Sequence, residues 1–248
     1  MIFSFKRWWV LVYKELKDSF GSPLIYVLGA LFSLLMGWLF FNYLIASKDL
    51  TEQTLTKSIF IPIFGNMNFM FIFLAPLLTM KSLSEEKKQH TLELLLTSNL
   101  SHLEIILAKL ASTFLMATFL ISLTTIFPIV LAVSGYDHWG VVFSSYIGIL
   151  LCVLCYLSVG LFASSLTQNQ IVAAILGFTI LLGLMLFVLT GNAIDNYMLG
   201  QLFQYFSVTA HYETFVSGGI KSFDIFYFFS FSGFFVYLTH LSLETRRW

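Results

Sequence analysis

Six runs of apolar residues follow one another along the chain, and each is long enough to cross a bilayer as a helix. A transmembrane helix needs about 20 mostly apolar residues to span about 30 Å of hydrocarbon. The six runs cover residues 23–46, 59–80, 105–133, 140–166, 171–190 and 223–241. The Asp, Glu, Lys and Arg residues inside them are Lys109 and Asp224, both near an end of a run. A charge at mid-membrane costs about 2.5–3.5 kcal/mol, so this distribution supports an all-α integral membrane protein with six transmembrane helices.

Residues 1–22, before the first run, have the pattern of an amphipathic helix. Large apolar side chains recur every three or four positions, at Phe5, Trp8, Trp9, Val12, Leu16 and Phe20. Polar side chains occupy other positions, at Arg7, Lys14, Lys17 and Asp18. We expect this helix to lie along the inner membrane surface, with its Trp rings at headgroup depth. It is either an ordinary membrane anchor or an elbow that moves with the rest of the protein.

The loop at 81–104 is the most informative polar segment. Ser82 with Glu85, and Ser101 with Glu104, fit the capping box that starts a helix. We therefore expect a short helix, a break at 97–99, and a new helix that enters the membrane. The short helix has an apolar stripe and a charged end, formed by Leu92, Leu95 and Leu96 and by Glu85, Glu86, Lys87 and Lys88. Such a helix is suited to transmit a push from a partner, and the alternative is a solvated loop whose leucines rest on lipid.

The segment at 191–222 is long for a connection and rich in aromatic residues. These are Tyr197, Phe203, Tyr205, Phe206, Tyr212 and Phe215. We expect short helices that dip back into the outer leaflet, with a break at Gly218 and Gly219. The segment is either a gate or an interfacial cap.

Charge distribution predicts the orientation of the chain. All but three of the thirteen Lys and Arg residues fall on one side of the predicted spans, and the exceptions are Lys48, Lys57 and Lys221. Positive charge marks the cytoplasmic face, so both termini and the 81–104 loop are expected to be cytoplasmic. The composition agrees with a membrane protein, since 58% of residues are hydrophobic and 10% are charged. The net charge is zero, so the chain has no overall positive charge that would attract nucleic acid.

Several candidate chemical sites are unconvincing. The segment 218–222 lacks the Gly-Lys pair of a phosphate-binding loop, so the chain is not expected to hydrolyse nucleotide. Cys152 and Cys155 sit inside an apolar run, where they are predicted to be packing residues. The five histidines do not share a helix at ligand spacing, so we expect no metal site and no cofactor.

Asparagine and proline residues in the second run allow two interpretations. Helix breaks at Pro62 and Pro76 and the amides of Asn66 and Asn68 suit the lining of a pathway, and the alternative is that the amides link helices. No acid lies at mid-span, which argues against a proton-coupled carrier. A passive channel would need a continuous polar stripe, and the spans offer only scattered amides and hydroxyls.

Segments spread over most of the chain resemble a known family, in the same order. Residues 85–98, followed by Glu104, Ile105 and Lys109, are similar to the coupling-helix region of permease subunits of type-2 ATP-binding cassette (ABC) transporters. The similarity is greatest to the gliding-motility-type branch, which is related to the copper-processing permeases of nitrous-oxide reductase maturation. Residues 164–174 resemble the inner loop of that branch, and residues 212–248 resemble its ending. The sequence departs from the family pattern at three positions, with His90 for Gly, Asn99 for Pro and Ala108 for Gly.

The resemblance implies a function and a set of site residues. It implies a permease subunit in the cytoplasmic membrane of a bacterium, paired with a second copy or a paralogue and bound to cytoplasmic ATPase subunits, with membrane lipid around it. ATP hydrolysis by these subunits would drive either the export of a substrate or the transmission of force to a periplasmic auxiliary protein. The implied coupling residues are Glu85, Glu86, Lys87, Lys88, Thr91, Leu92, Glu93, Leu95 and Leu96. The segment 191–222 would form re-entrant helices, with an outer gate at Tyr212, Glu213, Phe215 and Gly219. A competing hypothesis is a self-contained membrane enzyme that acts on lipid through His211, Glu213 and Asp224.

Overall fold

The computed structural model of the protein describes residues 5–46, 56–96, 100–133, 136–193 and 197–245. The described regular structure is helical, and it contains six segments that are long and apolar enough to cross a membrane, as the sequence predicts. In chain order the helices are α1 (Phe5–Gly21), α2 (Pro23–Ala46), α3 (Ile61–Lys88), α4 (Thr91–Leu96), α5 (His102–Ser122), α6 (Ile126–Val133), α7 (Trp139–Leu166), α8 (Gln170–Ala193), α9 (Tyr197–Phe206), α10 (Val208–Val216) and α11 (Ser222–Glu244).

The amphipathic helix α1 packs against the start of α5. Leu11 and Val12 are buried in a small cluster with Ile105 and Ala108, while Trp9 is half exposed. The buried face of α1 therefore lies toward α5, and Trp9 is not part of this buried cluster. After Gly21 the chain turns, and α2 begins at Pro23, where a missing N–H costs nothing.

Helix α7 occupies the centre of the bundle. It packs against α3, α5, α8 and α11, and it is the most buried of the six membrane segments. Small residues allow the close approach: a Cβ on Gly160 would collide with Thr79 of α3, and one on Gly148 would lie 2.9 Å from Phe215 Cγ of α10. The core around α7 is therefore shaped by glycine as much as by large apolar side chains.

The third predicted span is a helix interrupted once. α5 ends at Ser122, a 3-10 turn covers Leu123–Thr125, and α6 continues to Val133. Pro128 follows the turn and cannot donate a hydrogen bond to the Thr124 carbonyl, which favours a local break. Three hydroxyl groups in and beside the 3-10 turn each donate to the backbone carbonyl three residues earlier. They belong to Ser122, Thr124 and Thr125.

The amides of the second span connect helices. Asn66 Nδ2 donates to the Tyr43 hydroxyl over 2.8 Å, and Asn68 Oδ1 accepts from the Tyr156 hydroxyl over 2.9 Å and from Cys152 Sγ over 3.0 Å. Cys152 and Cys155 are buried thiols without a disulfide. These side chains therefore serve in helix packing, as one of the two interpretations of the sequence proposed.

Candidate functional site at the basic end of the bundle

The last turn of α3 and the start of α4 form a sharp corner. The corner lies at the basic end of the bundle, which we define as the end that carries Lys14, Lys81, Lys88 and Lys109. α3 ends at Lys88, two residues make the turn, and α4 begins with the next residue. His90, in the turn, has a left-handed backbone conformation (φ 55°), which costs a residue other than Gly about 1 kcal/mol. The resemblance described above leads us to expect Gly at this position, and the left-handed backbone is a conformation that Gly adopts without strain.

The helix start predicted at Ser82 is wrong. α3 continues without interruption from Ile61 to Lys88, so Ser82 and Glu85 lie inside it. The Ser82 Oγ atom is buried and has no hydrogen-bond partner among the described residues. Inside a helix the preceding turn already satisfies the N–H groups that a capping box would bind. The charged residues at 85–88 therefore end the second membrane helix and do not lead α4.

The second predicted capping box, at the start of α5, is confirmed. Ser101 Oγ accepts from the Glu104 N–H over 3.2 Å, and Glu104 Oε2 accepts from the Ser101 N–H over 2.7 Å. This motif starts α5 immediately before the third membrane span, as predicted.

A buried lysine joins three helices beside the corner. Lys109 is 1% exposed, and its Nζ lies 2.8 Å from Glu86 Oε1 and 3.0 Å from Glu15 Oε1. We call these residues the Lys109 triad. A buried ammonium is costly unless it is paired and hydrogen-bonded, and here carboxylates from α1 and α3 meet it on α5. The triad therefore fixes α1, the end of α3 and the start of α5 to one another.

The triad borders a cleft of about 680 Å³ between α1, α3, α4 and α5. Charged side chains of both signs line it, among them Lys14, Asp18, Lys81 and Glu85. The side chains of the triad also line the cleft, so movement of α3 or α4 would change the surroundings of Lys109. The cleft therefore brings charged side chains from α1, α3 and α5 together at the basic end.

A second lysine fastens the end of α3 to α7. Lys87 is buried, and its Nζ donates to the Ser165 carbonyl, which also accepts from Ser242 Oγ over 3.2 Å. Ser165 lies in the last turn of α7, where carbonyls lack partners within the helix and attract positive charge. Leu83 N also lies 3.2 Å from Ser164 Oγ. Lys87 thus joins α3 to α7 and does not reach the outer surface of the corner.

The structure divides the other predicted coupling residues between surface and interior. Lys88 and Thr91 are exposed at the corner, and Glu85 is partly exposed. Leu92 is buried in the main core, and Leu95 packs on the small cluster formed by α1 and α5. The leucines at these two positions therefore contact protein, which argues against the solvated-loop alternative. The side chains of Glu93 and Leu96, and the break predicted at 97–99, lie outside the described residues.

The predicted outer gate lies at the opposite end of the bundle. Tyr212 and Phe215 of α10 are buried, and the Tyr212 hydroxyl donates to the Phe64 carbonyl of α3 over 3.0 Å. Glu213 and Gly219 are exposed, and Gly218 has φ +91°, which explains the chain break predicted there. The short helices α9 and α10 predicted within 191–222 are present.

A comparison with known families identifies the chain. The sequence profile of the family described as ABC-2 type transporter matches residues 6–211, a range that includes the Lys109 triad and the corner. The chain belongs to this ABC-2 family. It is a transmembrane permease of an ABC transporter, and permeases of this family work in general with an ATP-binding cassette partner. No functionally characterised protein compared with the chain matches it.

In this ABC-2 permease two of the three residues of the competing lipid-enzyme hypothesis, His211 and Asp224, form a buried structural cluster. His211 Nδ1 lies 2.7 Å from Asp224 Oδ1, and its Nε2 lies 3.0 Å from the Tyr205 carbonyl, which can only accept. Thr214 donates to the other Asp224 oxygen over 2.6 Å, while Glu213 is exposed. A general base needs a free ring nitrogen directed at the substrate. Both nitrogens of His211 are engaged, so the cluster holds α10 against α11.

Proposed function

We propose that this permease couples ATP hydrolysis by a separate ATPase subunit to substrate export or force transmission across the cytoplasmic membrane. The ATPase would bind at the basic end of the bundle, against the corner between α3 and α4. The excess of Lys and Arg at this end supports a cytoplasmic location for it and for both termini.

The observation that carries the proposal is the continuity of α3. This helix of 28 residues begins three residues before Phe64 and ends at the corner, a length of about 40 Å. At one end its carbonyl at Phe64 accepts the Tyr212 hydroxyl of the outer helix α10, and at the other Glu86 binds Lys109. A displacement of the corner would therefore be passed along one continuous helix to the outer segment.

The partners follow from the resemblance of residues 85–98. We propose the gliding-motility-type branch, with two permease chains, identical or paralogous, two ATPase subunits and a periplasmic auxiliary protein. In this arrangement Lys88 and Thr91 contact the ATPase, because their side chains are exposed, unlike those of the other predicted coupling residues whose side chains the structure describes. Tyr212, Glu213, Phe215 and Gly219 form the outer gate.

The test is co-purification of the full chain with the ATPase encoded by a neighbouring reading frame. Replacing both Lys88 and Thr91 by Glu makes these two positions negative and leaves the side chains of the triad and of Lys87 unchanged; among the described residues it removes only the 3.4 Å contact from Thr91 Oγ1 to the Glu86 carbonyl. We expect at least a tenfold loss of bound ATPase, because a wrong-sign charge in an interface costs several kcal/mol.

The matched control places the same charges at the opposite end, with Lys221→Glu and Ser222→Glu, which are also exposed. This variant should retain the ATPase. If the corner variant inserts in the membrane and binds as much ATPase as the control, the corner is not the contact.

A further inference from the structure

Two histidines and a glutamate, contributed by two helices, meet at the basic end of the bundle. His102 is the first residue of α5, and His240 and Glu244 lie in the last turns of α11. One ligand atom from each of the three lies within 4.8 Å of the other two. None of the three belongs to the triad, the corner or the outer segment.

The spacing of His240 and Glu244 suits a shared ion better than a mutual bond. His240 Nε2 lies 3.5 Å from Glu244 Oε1, which is longer than an ordinary N–H···O hydrogen bond of about 2.7–3.2 Å. Two ligands on one tetrahedral zinc, each about 2.0–2.1 Å from the metal, are about 3.3 Å apart. The positions i and i+4 place both side chains on one face of α11, the arrangement by which helices present paired metal ligands.

The ring of His102 approaches from the neighbouring helix. The centroids of the two imidazole rings are 5.9 Å apart at an angle of 61°. Two imidazoles bound to one tetrahedral zinc have their ring centres roughly 5 Å apart, so a small side-chain adjustment closes the site. His102 and His240 lie on long helices, which fix the backbone positions of these two ligands.

His240 is not committed to a structural role in the way that His211 is. Its Nδ1 atom is buried and has no hydrogen-bond partner among the described residues, and its Nε2 faces Glu244. Both nitrogens of His211, in contrast, meet oxygen acceptors. The side chains of His240 and Glu244 are 20% and 45% exposed, so an ion can enter from solvent.

We propose that His102, His240 and Glu244 bind a divalent transition metal of the zinc class. Two imidazoles and one carboxylate are ligands that Zn²⁺ commonly takes, and a water completes the tetrahedron. The ion joins the first turn of α5 to the last turns of α11, and it clamps the third membrane helix to the sixth at the basic end. The site needs only this chain, so it stands independently of ATPase coupling.

The test is Zn²⁺ binding to the purified full chain in detergent, without a polyhistidine tag and after treatment with a chelator. Competition against a chromophoric chelator should give one Zn²⁺ per chain. His102→Ala and Glu244→Gln should each weaken binding at least about tenfold, since even residues that only support metal ligands contribute 10–100-fold. Co²⁺ in place of Zn²⁺ should show the visible absorption band of a four-coordinate site.

The control is His138→Ala, which removes an exposed histidine at the opposite end and should leave Zn²⁺ affinity unchanged. Glu244 is exposed enough that its replacement should not impair folding, so this variant keeps the test decisive if His102→Ala fails to insert. Absence of stoichiometric Zn²⁺, or equal affinity in Glu244→Gln and the control, overturns the proposal. Neither result bears on the co-purification test of the corner.

Discussion

Lys109 shows how one residue determines the arrangement of three helices. Its ammonium is removed from solvent, and two carboxylates from other helices replace the lost hydration. The carboxylates are 18% exposed, so water still reaches them. The triad is therefore a directional contact at the edge of the membrane, and it specifies how α1 and α3 meet α5.

Replacing Lys109 by Met should destabilise the protein by about 2–3 kcal/mol. Removing one partner of a buried pair costs about 3–5 kcal/mol, and the residual exposure of Glu15 and Glu86 reduces this cost. Thermal unfolding in detergent measures the effect. Adding Glu86→Gln to Lys109→Met should restore part of the loss, because it removes the repulsion between two uncompensated carboxylates. A double variant as unstable as the single one would contradict the role of the triad.

At the scale of the helices, two serines with the same sequence pattern have opposite roles. Ser101 caps α5, whereas Ser82 lies inside α3 with its hydroxyl unbonded among the described residues. Ser101→Ala should lower the free energy of unfolding by about 1 kcal/mol, the usual value of a helix cap. Ser82→Ala should be neutral or stabilising, because it removes a buried hydroxyl that makes no hydrogen bond to the described residues. Thermal unfolding compares the pair, and equal losses would mean that both serines cap helices.

This pair also shows which parts of the fold the sequence could predict. The six spans were predictable, because a bilayer excludes charge from long apolar runs. The cap at Ser101 was predictable too, because it is a contact over three residues. Ser82 has the same local pattern, and only the unbroken preceding turn of α3 reveals that no helix starts there. A local pattern therefore marks a position where a helix can start, and only the neighbouring backbone decides whether one does.

The functional contacts depend on residues that are distant in sequence, and they were only partly predictable. Glu15 lies 94 residues from Lys109, and the sequence pattern does not show that they meet. A weaker signal was present, since Glu15 falls between Val12 and Leu16 on the buried face of α1, and Lys109 stands in an apolar run. Both are charges at positions where a membrane protein needs a partner of opposite sign. The pairing of His211 with Asp224 carried a similar signal, since Asp224 stands at the start of the last apolar run and the sequence analysis grouped it with His211.

The contact between α7 and the outer helix α10 depends on a glycine. A side chain on Gly148 would collide with Phe215, so Gly148→Ala should destabilise the protein by about 1–3 kcal/mol through overpacking. Hydrogen exchange of the α10 amides should also accelerate. Gly37→Ala in α2 is the control, because a Cβ there meets open space. If both variants behave alike, α10 does not pack tightly on α7.

For the whole molecule, the proposed orientation can be tested by labelling single cysteines from either side of the membrane. The native thiols Cys152 and Cys155 are buried, so the natural chain gives little background. Lys88→Cys should react with an impermeant maleimide only in inverted vesicles, and Lys221→Cys only in intact cells. The two replaced side chains are exposed at opposite ends of the bundle. Reaction of Lys88→Cys in intact cells would place the corner outside and rule out contact with a cytoplasmic ATPase.

The order of the triad along the chain has a consequence for biosynthesis. Glu15 and Glu86 precede Lys109 by 94 and 23 residues, and a nascent chain leaves the ribosome from its N-terminus onward. Both acids are therefore already at the membrane when the translocon receives the helix that carries the lysine. The ammonium meets its counterions as it leaves water, so this helix can insert without waiting for the second half of the protein to be made.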